Sequence, residues 1–145
     1  SGLAPSRKLG AGPRRYPMMR YPWGRTEAAL NEMAAYTDGD CAELAYVNPE
    51  TGADVLPTMG FTAMRIGAGQ RHAPPLRSSS AAFPVVKGQG TTTINGETIA
   101  WGPKDTFTAP VFAEITHEAG EDAYLVRVHD RPLQEKLGYY EERAR

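Results

Sequence analysis

Residues Gly69–Gly90 read GQRHAPPLRSSSAAFPVVKGQG. A glycine lead-in, one histidine, a polar run, an apolar strand and a Gly-x-Gly exit give this stretch the frame of a β-barrel strand pair. Outward from it, short β-rich runs alternate with turn signals. The runs are Glu43–Val47, Met59–Ile66, Ala82–Lys87, Thr91–Ile94, Glu97–Trp101, Thr106–Ala109, Ala113–His117 and Ala123–His129. Asn95-Gly96 predicts a two-residue hairpin turn. Further turns fall at Asn48–Gly52, Trp101–Asp105 and Glu118–Asp122. Evenly spaced short strands with Gly/Pro punctuation predict a closed or double-sheet all-β architecture. Phe83, Val85, Ile94, Phe107 and Leu125 alternate as core positions, and Trp101 is placed at the barrel rim.

The chain has 145 residues, enough for one domain that buries roughly 70% of its unfolded surface. With 16 basic and 17 acidic residues the net charge is −1, which argues against nucleic acid or an anionic membrane as partner. No apolar run approaches the ~20 residues of a bilayer span. No signal peptide is expected from SGLAPSRKLGAGPRR, and the missing initiator Met suggests a fragment or processed piece. Cys41 is the one cysteine, so no internal disulfide forms and a cytoplasmic location is expected.

We divide the chain into an arm or linker over 1–24, a helical segment over 25–40 and a barrel over 41–145. The arm carries Tyr16, Tyr21 and Trp23, aromatics suited either to packing on their own barrel or to a second barrel or subunit. Thr26 is read as helix N-cap with Glu27 in the first turn, and Ala29, Leu30, Met33 and Ala34 keep one face over 26–36. A short C-terminal helix is capped by Asp130, takes Pro132 in its first turn and stops at Gly138. Its Leu133 and Leu137 are expected to seal one barrel end, with a solvated charged tail beyond.

The Gly-rich strand pair followed by WGPKDTFTAP (Trp101–Pro110) resembles the two-motif pattern of the cupins, double-stranded β-helix (jelly-roll) barrels. The segments YPWGRTEAAL, YVNPETGADVLPTMG, VVKGQGTTTINGETIAWGPKDTF and VHDRPLQEKLG are similar to the C-terminal half of the bicupin gentisate 1,2-dioxygenases and their salicylate and hydroxynaphthoate relatives. The resemblance implies a parent enzyme that opens an aromatic ring with Fe(II), aromatic-compound catabolism as its setting, and iron in an N-terminal cupin absent from these residues. It also implies contact with that cupin and with other subunits of a homo-oligomer.

The family pattern, anchored on Gly88, puts its first-motif ligands at Pro75, Arg77 and Ala81. Anchored on Pro110, it puts the second-motif histidine at Ile115. None of the four can ligate a metal as written. A guanidinium about 4 Å from a divalent cation is repelled by roughly 8 kcal/mol at an effective dielectric of about 20. No catalytic residue, cofactor site or metal ligand is therefore assigned in this chain, and the isolated chain is expected to be inactive. His72 falls before the strand, His129 ends the last one, and His117 shares a sheet face with Ile115. Arg65, Arg77 and His117 form a possible ligand pocket, with an aromatic carboxylate or phosphate held between the two arginines. Such a pocket would make the chain a binding or sensor cupin. A free-standing enzyme with a rebuilt metal site is the third reading. Cys41 and Ser78–Ser80 have no base at a recognisable spacing and are not read as nucleophiles.

Overall fold

A computed structural model describes residues 19–37, 39 and 41–145. Tyr16 and most of the arm lie outside the described residues. Among those described, no helix is long and apolar enough to cross a membrane.

Among the described residues eleven strands follow one helix: β1 Cys41–Ala45, β2 Gly60–Ile66, β3 Arg71–His72, β4 Leu76–Arg77, β5 Ala81–Lys87, β6 Gly90–Ile94, β7 Glu97–Trp101, β8 Thr106–Ala109, β9 Ile115–Ala119, β10 Ala123–His129 and β11 Glu142–Arg143. The helices are α1, Trp23–Tyr36, and α2, Arg131–Leu137. A five-stranded sheet runs β1-β2-β10-β5-β8, and a four-stranded sheet runs β3-β9-β6-β7. The recorded ladders are antiparallel. Between the sheets lies the main core, built on Met64, Ile66, Phe83, Val85, Trp101, Phe107 and Leu125.

Local chemistry explains the best-defined pieces. Asn95 and Gly96 take φ of 49° and 86°, the left-handed pair that a tight hairpin demands, and Ile94 faces Glu97 across it. In β10, Leu125 and Arg127 face inward while Tyr124 faces out toward α1, as the period of two requires.

Helix α1 begins at Trp23, three residues before Thr26, with Pro22 at its N-cap position and no side-chain cap. Thr26 is instead buried within the helix, where its hydroxyl accepts from Tyr46 at 2.9 Å. The helix lays Leu30 on Ala42, Ala63 and Tyr124 on the outer face of the five-stranded sheet. Tyr21 stands edge-on to Tyr46 at 5.0 Å and Trp23 edge-on to Tyr124 at 5.9 Å, so both arm aromatics pack on their own barrel.

Several boundaries differ from the sequence reading. β1 and β9 are each shifted by two residues, and Ala113 lies outside β9. Trp101 is 4% exposed within the core rather than capping the rim. Helix α2 buries Pro132 and Gln134, whereas Leu137 is largely exposed, so the two leucines do not seal the barrel. The charged tail is not merely solvated: β11 pairs with β4, placing Glu142 opposite Arg77 and Arg143 opposite Leu76.

Candidate functional site

Pro75, Arg77 and Ala81 come from one short stretch and Ile115 from β9, yet all four line a single cavity of about 10 Å³. Such a space holds something close to one water. Ser79, Phe83, Pro110 and Arg127 also line it. The segment before β5 supplies Pro75, Arg77 and Ser79 to its lining. Ser78 ties that segment to α2, donating to Gln134 Oε1 at 2.6 Å and accepting from Gln134 Nε2 at its backbone oxygen at 3.0 Å. The tail closes over the same region. Arg145 donates to the backbone oxygen of Ile115 at 2.7 Å, and Arg143 lies 4.0 Å above the Phe112 ring.

His117 is fully buried between Phe83 and Phe107, with ring centroids 5.2 and 6.0 Å away. Its Nδ1 lies 2.8 Å from Thr92 Oγ1, which also accepts from Trp101 Nε1 at 2.8 Å. Burial first, then the neighbouring His72, Arg77 and Arg127, pushes its pKa down to about 3. His117 is therefore neutral at physiological pH. His129 is held down to about 4, by burial first and then Arg127.

The pocket expected from Arg65, Arg77 and His117 does not form. β2 turns Met64 and Ile66 inward, so its period of two turns Arg65 outward under α1. There Arg65 donates to Asn31 Oδ1 at 3.0 Å and pairs with Asp122 at 3.2 Å. Arg77 stays at the cavity, with Nε 3.9 Å from Glu142. A drug-sized ligand pocket takes roughly 300–1,000 Å³, so this interior has no room for an aromatic carboxylate.

The second interior cation is Arg127, which the sequence reading passed over. It is 6% exposed, and burial followed by Arg77 holds its pKa down to about 10. Its phase could have been found: Arg127 is two residues from the core position Leu125. A donor set was also missed. One ligand atom from each of Cys41, Glu43 and His72 lies within 4.8 Å of the others, and all three residues are half-buried. Burial, then the Glu43 carboxylate, pushes the Cys41 thiol up to about 12. Arg127 and Arg77 are near enough to bear on that thiol, so a divalent ion here would face two fixed positive charges.

The two antiparallel sheets closing on one small interior site define a cupin barrel. A Schizosaccharomyces pombe cupin domain matches 70% of the chain, and 73% of its own, at a TM-score of 0.54 and 16% identity, a likeness of fold alone. The salicylate 1,2-dioxygenase of Pseudoaminobacter salicylatoxidans, solved with gentisate, superposes at a TM-score of 0.81 with 31% identity, over 86% of this chain and 36% of that one. A Ralstonia gentisate 1,2-dioxygenase is 35% identical over 99% of the chain and 42% of its own length. A Comamonas 5-aminosalicylate 1,2-dioxygenase is 37% identical over 91% and 37%. No family model matches the chain. The chain is a partial member of the gentisate 1,2-dioxygenase family, spanning about two fifths of the curated relatives it matches.

Fe(II) is the metal that the resemblance implies, and the residues around the cavity do not fit it. Pro75, Ala81 and Ile115 offer no donor atom, and the guanidinium groups of Arg77 and Arg127 repel a cation.

Proposed function

We propose that this chain is the C-terminal, metal-free structural barrel of a gentisate 1,2-dioxygenase-like enzyme. The enzyme's iron and ring-opening chemistry belong to an N-terminal cupin outside these residues. The barrel described here supports that cupin and helps to build a homo-oligomer, and we place it in the cytoplasm, where the lone Cys41 stays reduced.

The observation that carries this reading is the convergence of Pro75, Arg77, Ala81 and Ile115 on one cavity of about 10 Å³. A ring-cleaving site needs ligands that leave positions open for an aromatic acid and O₂. This interior supplies two arginines and apolar walls instead. Likeness to the dioxygenases over nearly the whole chain supports the assignment to such an enzyme.

The test is gentisate turnover by the 145-residue chain with added Fe(II) under air, read as the absorbance of the ring-opened product. No turnover is expected, and iron analysis after desalting should return well under one iron per chain. Turnover dependent on Fe(II) would overturn the proposal.

A further inference from the structure

The cavity that lacks metal ligands is lined by positive charge with no carboxylate among its lining residues. Arg127 is 94% buried, and neither its Nε nor its Nη1 has a hydrogen-bond partner. Arg77 Nε and Ser79 Oγ, from the same lining, are also buried without one. Three side chains from two separate parts of the chain thus bring unused donors to one narrow cavity. A guanidinium withdrawn from water and left unpaired is costly, and buried donors are rarely left so. The nearest acids do not complete the set. Glu142 stands 3.9 Å from Arg77 Nε with its side chain 41% exposed, and Glu43 makes no hydrogen bond to Arg127.

Size limits the occupant. At about 10 Å³ the cavity takes something close to one water, which excludes carboxylates and phosphates. We infer that this cavity binds a single monatomic anion, chloride in ordinary buffers, held between Arg77 and Arg127 and capped by Ser79 Oγ. The anion stands in the barrel where the family resemblance would place a metal ion, and its single negative charge offsets one of the two guanidinium charges. The tail pairing β11 to β4 covers it, so exchange requires that strand pair to open. This inference is independent of which ring acid the relatives cleave.

The test is crystallographic and thermal. Crystals of the 145-residue chain grown with bromide replacing chloride should give one anomalous peak at hydrogen-bonding distance from both guanidinium groups. In solution, raising chloride from about 1 to about 100 mM, with gluconate keeping ionic strength constant, should raise Tm by roughly 5 °C. Arg127→Met should abolish the rise. If that variant does not fold, the bromide map of the unaltered protein still decides. A cavity holding water or a metal, or bromide only at surface positions, would overturn the inference. So would a Tm indifferent to chloride, or an equal rise with acetate, which is too large for the cavity.

Discussion

Thr92 Oγ1 lies 2.8 Å from His117 Nδ1, joining β6 to β9 inside the barrel where the two residues face each other in register. The same oxygen accepts from Trp101 Nε1 on β7, so one hydroxyl serves three adjacent strands. Both Thr92 and His117 are 0% exposed, and water cannot replace either bond.

Thr92→Val keeps the side-chain shape but leaves the indole N–H and the imidazole Nδ1 without partners. A loss of about 2–4 kcal/mol is expected from two such orphaned groups. Urea unfolding at pH 7.5 measures it, and a loss below about 0.5 kcal/mol would show the bonds to be dispensable.

The buried histidines make stability depend on pH. Folded His117 protonates only near pH 3 and His129 near pH 4, whereas the unfolded chain takes up both protons near pH 6.5. The depressed folded values mean that full stability holds above about pH 6.5 and is lost as pH falls from there toward 4. The slope approaches about 1.4 kcal/mol per pH unit for each histidine. Urea midpoints between pH 8 and pH 5 test this, a window that stays above the carboxylate range. His129→Gln should remove about half of the slope, and a flat profile would contradict it.

Ser78 joins three segments. Besides its two bonds to Gln134, its Oγ accepts from the Glu141 backbone N–H at 2.8 Å and its own N–H donates to the Glu141 oxygen at 2.9 Å. Ser78→Ala removes the two hydroxyl bonds in a buried place and should cost about 2–3 kcal/mol. Amide exchange over residues 139–145 should quicken more than exchange in β10. Equal change in both would mean that Ser78 does not hold the tail in place.

What was legible in the sequence was local. Asn95-Gly96 and the alternation of β10 are written within a few residues, and the strands they define appear where expected. Motif order carried the family resemblance. The two-residue strands β4 and β11 were not legible, because Leu76–Arg77 becomes a strand only by meeting Glu142–Arg143, 65 or more residues later. The expected link between Arg65 and Arg77 ignored phase: Arg65 alternates with Met64 and Ile66, which face the core, and so must face out. Arg127 escaped notice for the opposite reason. A charged residue in YLVRVH reads as solvent-facing, while its spacing from Leu125 turns it inward.

The Gly-x-Gly exit supplies the sharpest mutational contrast. Gly90 sits in β6 between Ala119 of β9 and Trp101 of β7. A Cβ there would lie 2.2 Å from the Glu118 backbone oxygen and 2.8 Å from two atoms of the Trp101 ring. Neither neighbour can yield cheaply, since Glu118 belongs to the β9 backbone and Trp101 is packed in the core with its indole bonded to Thr92. Gly90→Ala must therefore separate the strands, at an expected cost above about 3 kcal/mol. Gly102, beyond the end of β7, has no atom within 4 Å of an added Cβ and no positive φ. Gly102→Ala should change stability by less than about 1 kcal/mol. Paired urea titrations compare the two variants, and similar midpoints would mean that close approach at Gly90 is not what requires glycine there.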